Sequence, residues 1–150
     1  MTSGLIIRPY QVQDKAALLK ILQLNIPDYF APEEWEDFQK YLETDLEDYY
    51  VLVLDRQVIG GGGLNYHIQE HTASLSWDLL HPNYQKQGFG RQLIQHRLKI
   101  LSTNKAIKQV FVRTSQLVYR FYQKQGFMLQ QCKANYWGPG YDLYHMTQTL

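Results

Sequence analysis

One hexapeptide, Tyr-Gln-Lys-Gln-Gly-Phe, occurs twice in the chain, from Tyr84 to Phe89 and from Tyr122 to Phe127. The residues that flank the two copies have nothing in common, whereas a structural repeat would extend beyond six residues. Apolar residues follow the first copy at helical spacing, but they precede the glycine of the second. The first copy is therefore predicted to begin a helix. The second is predicted to end one, with Gly126 as a left-handed cap.

A helix start of this kind has the chemistry of an anion site. The first N–H groups of a helix have no partner within it, and the helix dipole leaves a partial positive charge there. Gly88 and Gly90 would let the backbone approach a phosphate closely, and Lys86 and Arg91 add full charges. The Gly-x-Gly pattern alone is equally typical of a plain tight turn.

Composition predicts one globular domain over residues 1–150, because 45% of the residues are hydrophobic and 14% are aromatic. No apolar run approaches the roughly 18 residues of a membrane span, and no signal-peptide pattern is present, so we expect a soluble, cytoplasmic protein. Cys132 is the single cysteine, which excludes an intrachain disulfide and a cysteine-rich zinc site. We expect Cys132 to be a small buried residue, and we expect no metal.

Acidic and basic residues are segregated along the chain. Residues 1–80 have 5 Lys or Arg and 13 Asp or Glu, whereas residues 81–150 have 10 Lys or Arg and one acid. Nine acids lie between Asp28 and Asp48, against Lys40 alone. This indicates two differently charged surfaces. The alternative is that solvated helix faces happen to sort by sequence.

Periodicity and turn residues predict the element order β-α-α-β-β-β-α-β-α-β-β. The predicted strands are 5–8, 49–54, 58–68, 72–80, 108–113, 128–136 and 141–148. The predicted helices are 14–24, one that begins near Pro32, 88–104, and one that ends at Gln125 with Ser115 as its N-cap. The third strand is unusual for its run of glycines from Gly60 to Gly63.

This order and both glycine motifs resemble the GNAT acetyltransferase superfamily over nearly the whole chain. The family's coenzyme-A motif, Gln/Arg-x-x-Gly-x-Gly/Ala between a strand and a long helix, is matched from Gln85 to Gly90. Its second motif, a helix that ends in an aromatic residue or leucine, a tyrosine, three residues, Gly and Phe, is matched from Phe121 to Phe127. The resemblance implies an α/β (α+β) fold. Its mixed, mostly antiparallel central sheet would have about six to seven strands, flanked by four helices.

The resemblance also implies roles for individual residues. The pyrophosphate of coenzyme A would lie against the backbone of the first motif, at Lys86, Gln87, Gly88, Phe89, Gly90 and Arg91. The pantetheine arm would pair with the strand at Leu79 and Leu80, where an N–H would polarise the thioester carbonyl. Tyr122 would protonate the departing thiolate. Ser115 stands where relatives often have an asparagine that contacts coenzyme A.

The general base is left open by the sequence. The strand before the last helix is Val110-Phe111-Val112, without the glutamate that some relatives have there. Asp78 is the first candidate, because it lies on the strand that would face the thioester. The weaker candidates are His67, Glu70, His71 and His81. A lone histidine near a strand end is usually solvated.

The acidic segment favours a cationic acceptor such as a polyamine, an aminoglycoside-like compound or a basic peptide. In this fold the first two helices and the final hairpin flank the acceptor cleft. Six aromatic residues could line the cleft, although core packing explains each of them as well: Tyr29, Phe30, Trp35, Tyr136, Trp137 and Tyr141.

Two functions are compatible with the chain, and a third is disfavoured. The first is an N-acetyltransferase that moves the acetyl group of acetyl-CoA to an amine by direct attack in a ternary complex, since no nucleophile motif supports an acyl-enzyme. The second is a non-catalytic acyl-CoA sensor or interaction module with the same fold, which would need no acid at Tyr122. Nucleic-acid binding is disfavoured, because the basic residues are spread over several elements without a recognition motif. We expect no nucleic-acid or membrane partner, and a homodimer is compatible with the sequence.

Overall fold

The structure is a computed structural model that describes residues 4–150. Its strands are β1 (Ile6–Pro9), β2 (Asp48–Leu54), β3 (Gln57–His67), β4 (Thr72–Leu80), β5 (Gln109–Thr114), β6 (Met128–Gly138) and β7 (Tyr141–Thr149). Its helices are α1 (Lys15–Leu24), α2 (Glu34–Lys40), α3 (Phe89–Ser102) and α4 (Tyr119–Lys124). A π-helical turn, Tyr41–Asp45, continues α2.

The seven strands form one sheet in the order β1-β2-β3-β4-β5-β7-β6. The β4–β5 pair is parallel, and the other pairs of the described sheet are antiparallel. The predicted mixed, mostly antiparallel sheet with four helices is confirmed. Within residues 4–150, no helix combines the length and the apolar character that a membrane crossing requires.

The helices pack on both faces of the sheet because its central strands are apolar on both. One core lies under α1 and α2 and includes Leu18, Leu22, Phe38, Val51 and Leu79. The other lies under α3 and α4 and includes Ala73, Leu75, Ile94, Val110 and Val112. Strands with two buried faces read as continuous apolar runs, as Val51 and Leu52 of β2 do, both of them 0% exposed.

The parallel strands β4 and β5 pair over only part of their length. Their paired positions run from Thr72 with Gln109 to Leu75 with Val112. Beyond Leu75 and Val112 the two strands have no further paired positions, so the sheet opens between the end of β4 and the end of β5. This opening fixes the position of the candidate site.

Gly126 ends α4 as the sequence predicted. Its φ is +96°, its N–H donates to the Gln123 carbonyl and the Phe127 N–H donates to the Tyr122 carbonyl. This double hydrogen bond is the Schellman arrangement, in which a left-handed glycine follows the last helical turn.

Two local predictions were wrong. Val118 is the N-cap of α4; Ser115 instead closes a separate turn before the helix, where its hydroxyl accepts from the Leu117 N–H at 3.2 Å. Cys132 is exposed rather than buried, because β6 is the edge strand of the sheet and most of its residues face solvent.

Candidate active site

A cleft of about 1150 Å³ occupies the opening between β4 and β5. It extends from the start of α3 to the start of α2 and is also lined by α4. The predicted site residues that line it are Asp78, Leu79, Leu80, Lys86, Gly88, Gly90, Arg91, Ser115 and Tyr122. Gln87 and Phe89 do not line it. Gln87 is exposed, and the Phe89 ring is buried in a core with Leu52, Ile59 and Leu93.

The loop before α3 presents open backbone to this cleft. Lys86 and Gly88 both have positive φ, of 63° and 88°. A Cβ on Gly88 would meet nothing within 4 Å, so no neighbouring group covers the backbone at that point. The N–H groups in the first turn of α3 have no acceptor within the helix. The loop therefore has the donors and the space to receive an anion.

Two amides hold this loop against the end of β4. Gln85 Nε2 donates to Asn25 Oδ1 at 2.9 Å and to the Leu80 carbonyl at 3.0 Å. Asn25, which is buried at the end of α1, donates from Nδ2 to the same carbonyl at 3.0 Å. The Leu80 carbonyl is thus already doubly engaged, and the distance from the loop to β4 is fixed. Neither amide was predicted to have this role.

A bulge turns Asp78 towards α3. In the pairing of β3 with β4, Gly61 lies opposite Leu79 and Gly63 opposite Ser76, so Trp77 and Asp78 together face Gly62. The extra residue reverses the alternation of side chains along β4. Ser74 and Ser76 therefore lie on the α2 face, whereas Asp78 reaches the α3 face.

Asp78, which is partly buried, forms an ion pair with Arg97 of α3. Nη1 of Arg97 donates to Oδ1 at 2.6 Å and Nη2 donates to Oδ2 at 3.0 Å, and the Arg97 side chain is fully buried. Gly62 makes room for the pair, since a Cβ there would lie 2.5 Å from Asp78 Oδ1 and 2.9 Å from Arg97 Nη1. This explains one of the four consecutive glycines of β3.

The phenol of Tyr122 completes the network. Its hydroxyl donates to Asp78 Oδ2 at 2.7 Å, and the residue is only 4% exposed. Burial raises the pKa of Tyr122 well above its usual value, and the Asp78 charge and hydrogen bond raise it further. The phenol is therefore protonated at neutral pH and is available as a proton donor.

A buried carboxyl lines the cleft near the start of α2. Glu34 is 6% exposed, and its Oε2 accepts from the Ala31 N–H at 2.8 Å. Burial raises the pKa of Glu34 to about 7; the Ala31 hydrogen bond lowers it, and the charges of Asp37 and Glu33 raise it further. In the sequence, Glu34 is distinguished only as one of the nine acids between Asp28 and Asp48.

Acidic and cationic side chains reach the cleft from different elements. Of the nine acids between Asp28 and Asp48, those that line it are Glu34, Asp45 and Glu47. The cations that line it come from the α3 start, β5 and α4, and are Lys86, Arg91, Arg113, Arg120 and Lys124.

Of the predicted aromatic lining, Tyr29, Phe30, Trp137 and Tyr141 line the cleft, while Trp35 and Tyr136 do not. Of the weaker base candidates, His67 lines it; Glu70, His71 and His81 do not.

Arg97 could have been found from the sequence. It lies four residues after Leu93 and four before Leu101, within the apolar stripe of α3. A charged residue in such a stripe is almost never fully buried unless it is paired. An arginine there predicts a buried carboxylate on a facing strand.

Comparison with known proteins identifies the class. Residues 17–127 match the acetyltransferase (GNAT) family, and the chain therefore belongs to this family. It is 32% identical over 89 residues to an amino-acid acetyltransferase from Vibrio vulnificus, across 59% of this chain. The match spans only 20% of that relative's length.

Solved structures agree on the fold. The ribosomal-protein-S18-alanine N-acetyltransferase of Escherichia coli has a TM-score of 0.80 at 18% identity, over 97% of this chain and 93% of that one. The spermidine N-acetyltransferase of Vibrio cholerae, in complex with CoA and spermine, has a TM-score of 0.74 at 19% identity, over 99% of this chain and 96% of that one. The predicted resemblance to GNAT acetyltransferases is confirmed.

Proposed function

We propose that this chain is an N-acetyltransferase that transfers the acetyl group of acetyl-CoA to an amine by direct attack in a ternary complex. The observation that supports it best is that a protonated, buried phenol and an open anion-binding loop line one cleft, at Tyr122 and Gly88. One sheet runs through residues 6–149. We therefore propose that residues 1–150 act as one acetyltransferase domain.

The cofactor end of the cleft suits a ligand with several phosphate charges. Backbone N–H groups from Gln87 to Arg91 would bind the pyrophosphate, and Lys86 and Arg91 would add charge. Gln87 and Phe89 would contribute through the backbone, because their side chains do not line the cleft. Ser115 would contact the pantetheine arm from the opposite wall, since it lines the cleft at the end of β5.

The acyl end would lie beside the bulge of β4. The Leu79 N–H would polarise the thioester carbonyl, while Leu80 would help to position the pantetheine arm. As the amine nitrogen bonds to the carbonyl carbon and the carbon–sulfur bond breaks, the Tyr122 hydroxyl would give its proton to the thiolate. The thiolate must then compete with Asp78, which accepts that hydrogen bond at 2.7 Å in this structure.

The acceptor is proposed to be a small cationic amine or a basic peptide. The carboxylates of Asp45 and Glu47 are exposed at the cleft, where they would attract positive charge. A relative of known structure is a spermidine N-acetyltransferase with spermine bound, and another relative is an amino-acid acetyltransferase. The spermidine N-acetyltransferase makes polyamines the first acceptors to test. The amino-acid acetyltransferase adds amino acids to the panel.

The decisive experiment is thiol release from acetyl-CoA in the presence of polyamines, amino acids, aminoglycosides and basic peptides. We expect at least one amine to give turnover, with an N-acetylated product of the correct mass. Binding of acetyl-CoA without turnover of any acceptor would instead support the sensor function. The Tyr122→Phe variant is the matched control for background thiol release.

A further inference from the structure

The reaction needs a group that takes a proton from the attacking amine, and the carboxylate nearest the phenol is poorly suited to it. Both oxygens of Asp78 accept from Arg97, and Oδ2 also accepts from Tyr122. The arginine fork and the phenol already occupy three of the roughly four lone-pair sites of this carboxylate, so little of it is free to contact an amine. Asp78 is better placed to position the Tyr122 hydroxyl than to act as the base.

We propose that Glu34 is the general base of the acetyl transfer. Its carboxylate takes the proton that the amine nitrogen loses as the N–C bond forms. The C–S bond breaks, and the sulfur receives the Tyr122 proton. Both side chains then exchange protons with solvent and return to their starting states. This inference rests on the proposed N-acetyltransferase function.

The position of Glu34 follows from the packing of α2. Phe38 lies one helical turn after Glu34, so the two side chains share a face of the helix. The Phe38 ring packs 4.9 Å from the ring of Trp77, and Phe30, before the helix, stacks on the same indole at 6.3 Å. Trp77 is part of the β4 bulge and is followed by Asp78 and Leu79. The helix face that bears Glu34 is therefore directed at the strand where the thioester carbonyl would lie.

The two oxygens of Glu34 have different environments. Oε2 accepts from the Ala31 N–H, which holds the carboxyl in place. Oε1 receives no hydrogen bond from residues 4–150. Every fully buried side-chain oxygen or nitrogen of the described residues has a hydrogen-bond partner. Oε1 is consequently not fully buried, and Glu34 lines the cleft. One oxygen anchors the group and the other can accept a proton.

The charges around Glu34 suit a base that works near neutral pH. Asp37 on its own helix and Glu33 just before that helix raise the pKa of Glu34 beyond the effect of burial. The titratable groups that reach the cleft from the adjoining loop and from β7 are the phenols of Tyr29 and Tyr141. The cations that line the cleft lie on α3, β5, α4 and the loop before α3. General bases are most effective when their pKa lies near the operating pH.

A purely structural role is the competing explanation. A glutamate in the first turn of a helix often accepts a hydrogen bond from the backbone N–H three residues before it, as Glu34 does from Ala31. Glu34→Gln distinguishes the two roles, because the amide oxygen can still accept that hydrogen bond but cannot take a proton. We expect kcat to fall by roughly 10² to 10⁴, with unchanged affinity for acetyl-CoA. Wild-type kcat in the folded variant would overturn the proposal.

A second variant tests the role without touching Glu34. Asp37 is exposed on α2, and its charge raises the pKa of Glu34. In Asp37→Asn, the acidic limb of the pH profile of kcat/KM should move to lower pH, while kcat at the plateau is unchanged. Glu36→Gln, an exposed neighbour whose charge is not among those that raise this pKa, should leave the limb in place. If Glu34 has only a structural role, the acidic limb should not move in Asp37→Asn.

These outcomes are separable from failure of the proposed function. If the parent protein turns over no amine, the N-acetyltransferase assignment fails and the base assignment fails with it. If the parent is active but the acidic limb is lost in Asp78→Asn and retained in Glu34→Gln, only the base assignment is overturned. Loss of the limb in Glu34→Gln together with its displacement in Asp37→Asn supports the proposal.

Discussion

The Tyr122 hydroxyl donates a 2.7 Å hydrogen bond to Asp78 Oδ2, which joins the last helix to the bulge of β4. The same carboxylate is fixed by Arg97 from α3. Three elements therefore set the position of one phenol. Because Asp78 disfavours a phenolate beside it, Tyr122 would release its proton only to an acceptor that gains charge during the reaction, as a leaving thiolate does.

Phenylalanine at position 122 tests this role directly. Tyr122→Phe keeps the ring and removes only the donor, so kcat should fall by roughly 10² to 10⁴. Affinity for acetyl-CoA, measured by calorimetric titration, should barely change, because the hydroxyl acts on charge that develops late. The free energy of unfolding should fall by about 1.5 to 3 kcal/mol, since a hydrogen bond to a charged acceptor is lost. Wild-type turnover would assign the proton donor to another group.

The buried arginine is predicted to be costly to remove alone. Arg97→Met leaves the Asp78 charge without its ion-pair partner. Breaking a fully buried pair costs about 3 to 5 kcal/mol; because the Asp78 side chain is 16% exposed, we expect a loss near or below the lower end of that range. The double variant Arg97→Met/Asp78→Asn should lose less than the sum of the single variants, because no charge is stranded. Urea unfolding measures both. Lys99→Met, exposed on the same helix, is the control and should change stability little; strictly additive losses would contradict the coupling.

The sequence predicted the helix start at Gly88 and the helix end at Gly126, because each depends on local backbone geometry. It did not predict the bulge, because an extra residue in β4 leaves Leu75-Ser76-Trp77-Asp78-Leu79 reading as an ordinary strand. The face on which Asp78 lies, and hence its contacts with Arg97 and Tyr122, depends on that single insertion. Cys132 was misjudged for a similar reason, since only the strand order shows that β6 is an edge.

The two glycines of the repeated hexapeptide should respond differently to alanine. Both have positive φ, so each variant should lose about 1 to 2 kcal/mol of stability from backbone strain. A Cβ at Gly88 meets nothing within 4 Å, whereas one at Gly126 would lie 2.7 Å from Gln148 Nε2. We therefore expect Gly126→Ala to be the less stable variant and Gly88→Ala to be the one with weakened acetyl-CoA binding. Unchanged affinity in folded Gly88→Ala would contradict the pyrophosphate assignment.

The acids that matter for the acceptor should be those at the cleft. Asp45→Asn and Glu47→Gln should each raise the KM of a cationic amine by roughly 2- to 5-fold, as expected for exposed charges worth up to about 1 kcal/mol. The KM of acetyl-CoA should stay constant, and added salt should mimic the effect. Glu36→Gln is the control, since this exposed acid does not line the cleft. An equal response from all three variants would indicate a diffuse surface field instead of a binding site.

The buried carboxyl of Glu34 should also appear in the pH dependence of stability. Its pKa in the folded protein is raised to about 7 from an ordinary value of 4.5, so the folded state holds the proton more tightly than the unfolded state. Its contribution to stability is fully present below pH 4.5 and is lost as the pH rises through about 7. Relative to Glu34→Gln, wild type should therefore lose about 2 to 3 kcal/mol between pH 5 and pH 8, at about 1.4 kcal/mol per pH unit up to the folded pKa. Urea unfolding of the two proteins at several pH values gives this difference, and the contributions of all other groups cancel. Parallel curves for wild type and Glu34→Gln would mean that Glu34 titrates near its ordinary value, and its pKa would then not be matched to catalysis at neutral pH.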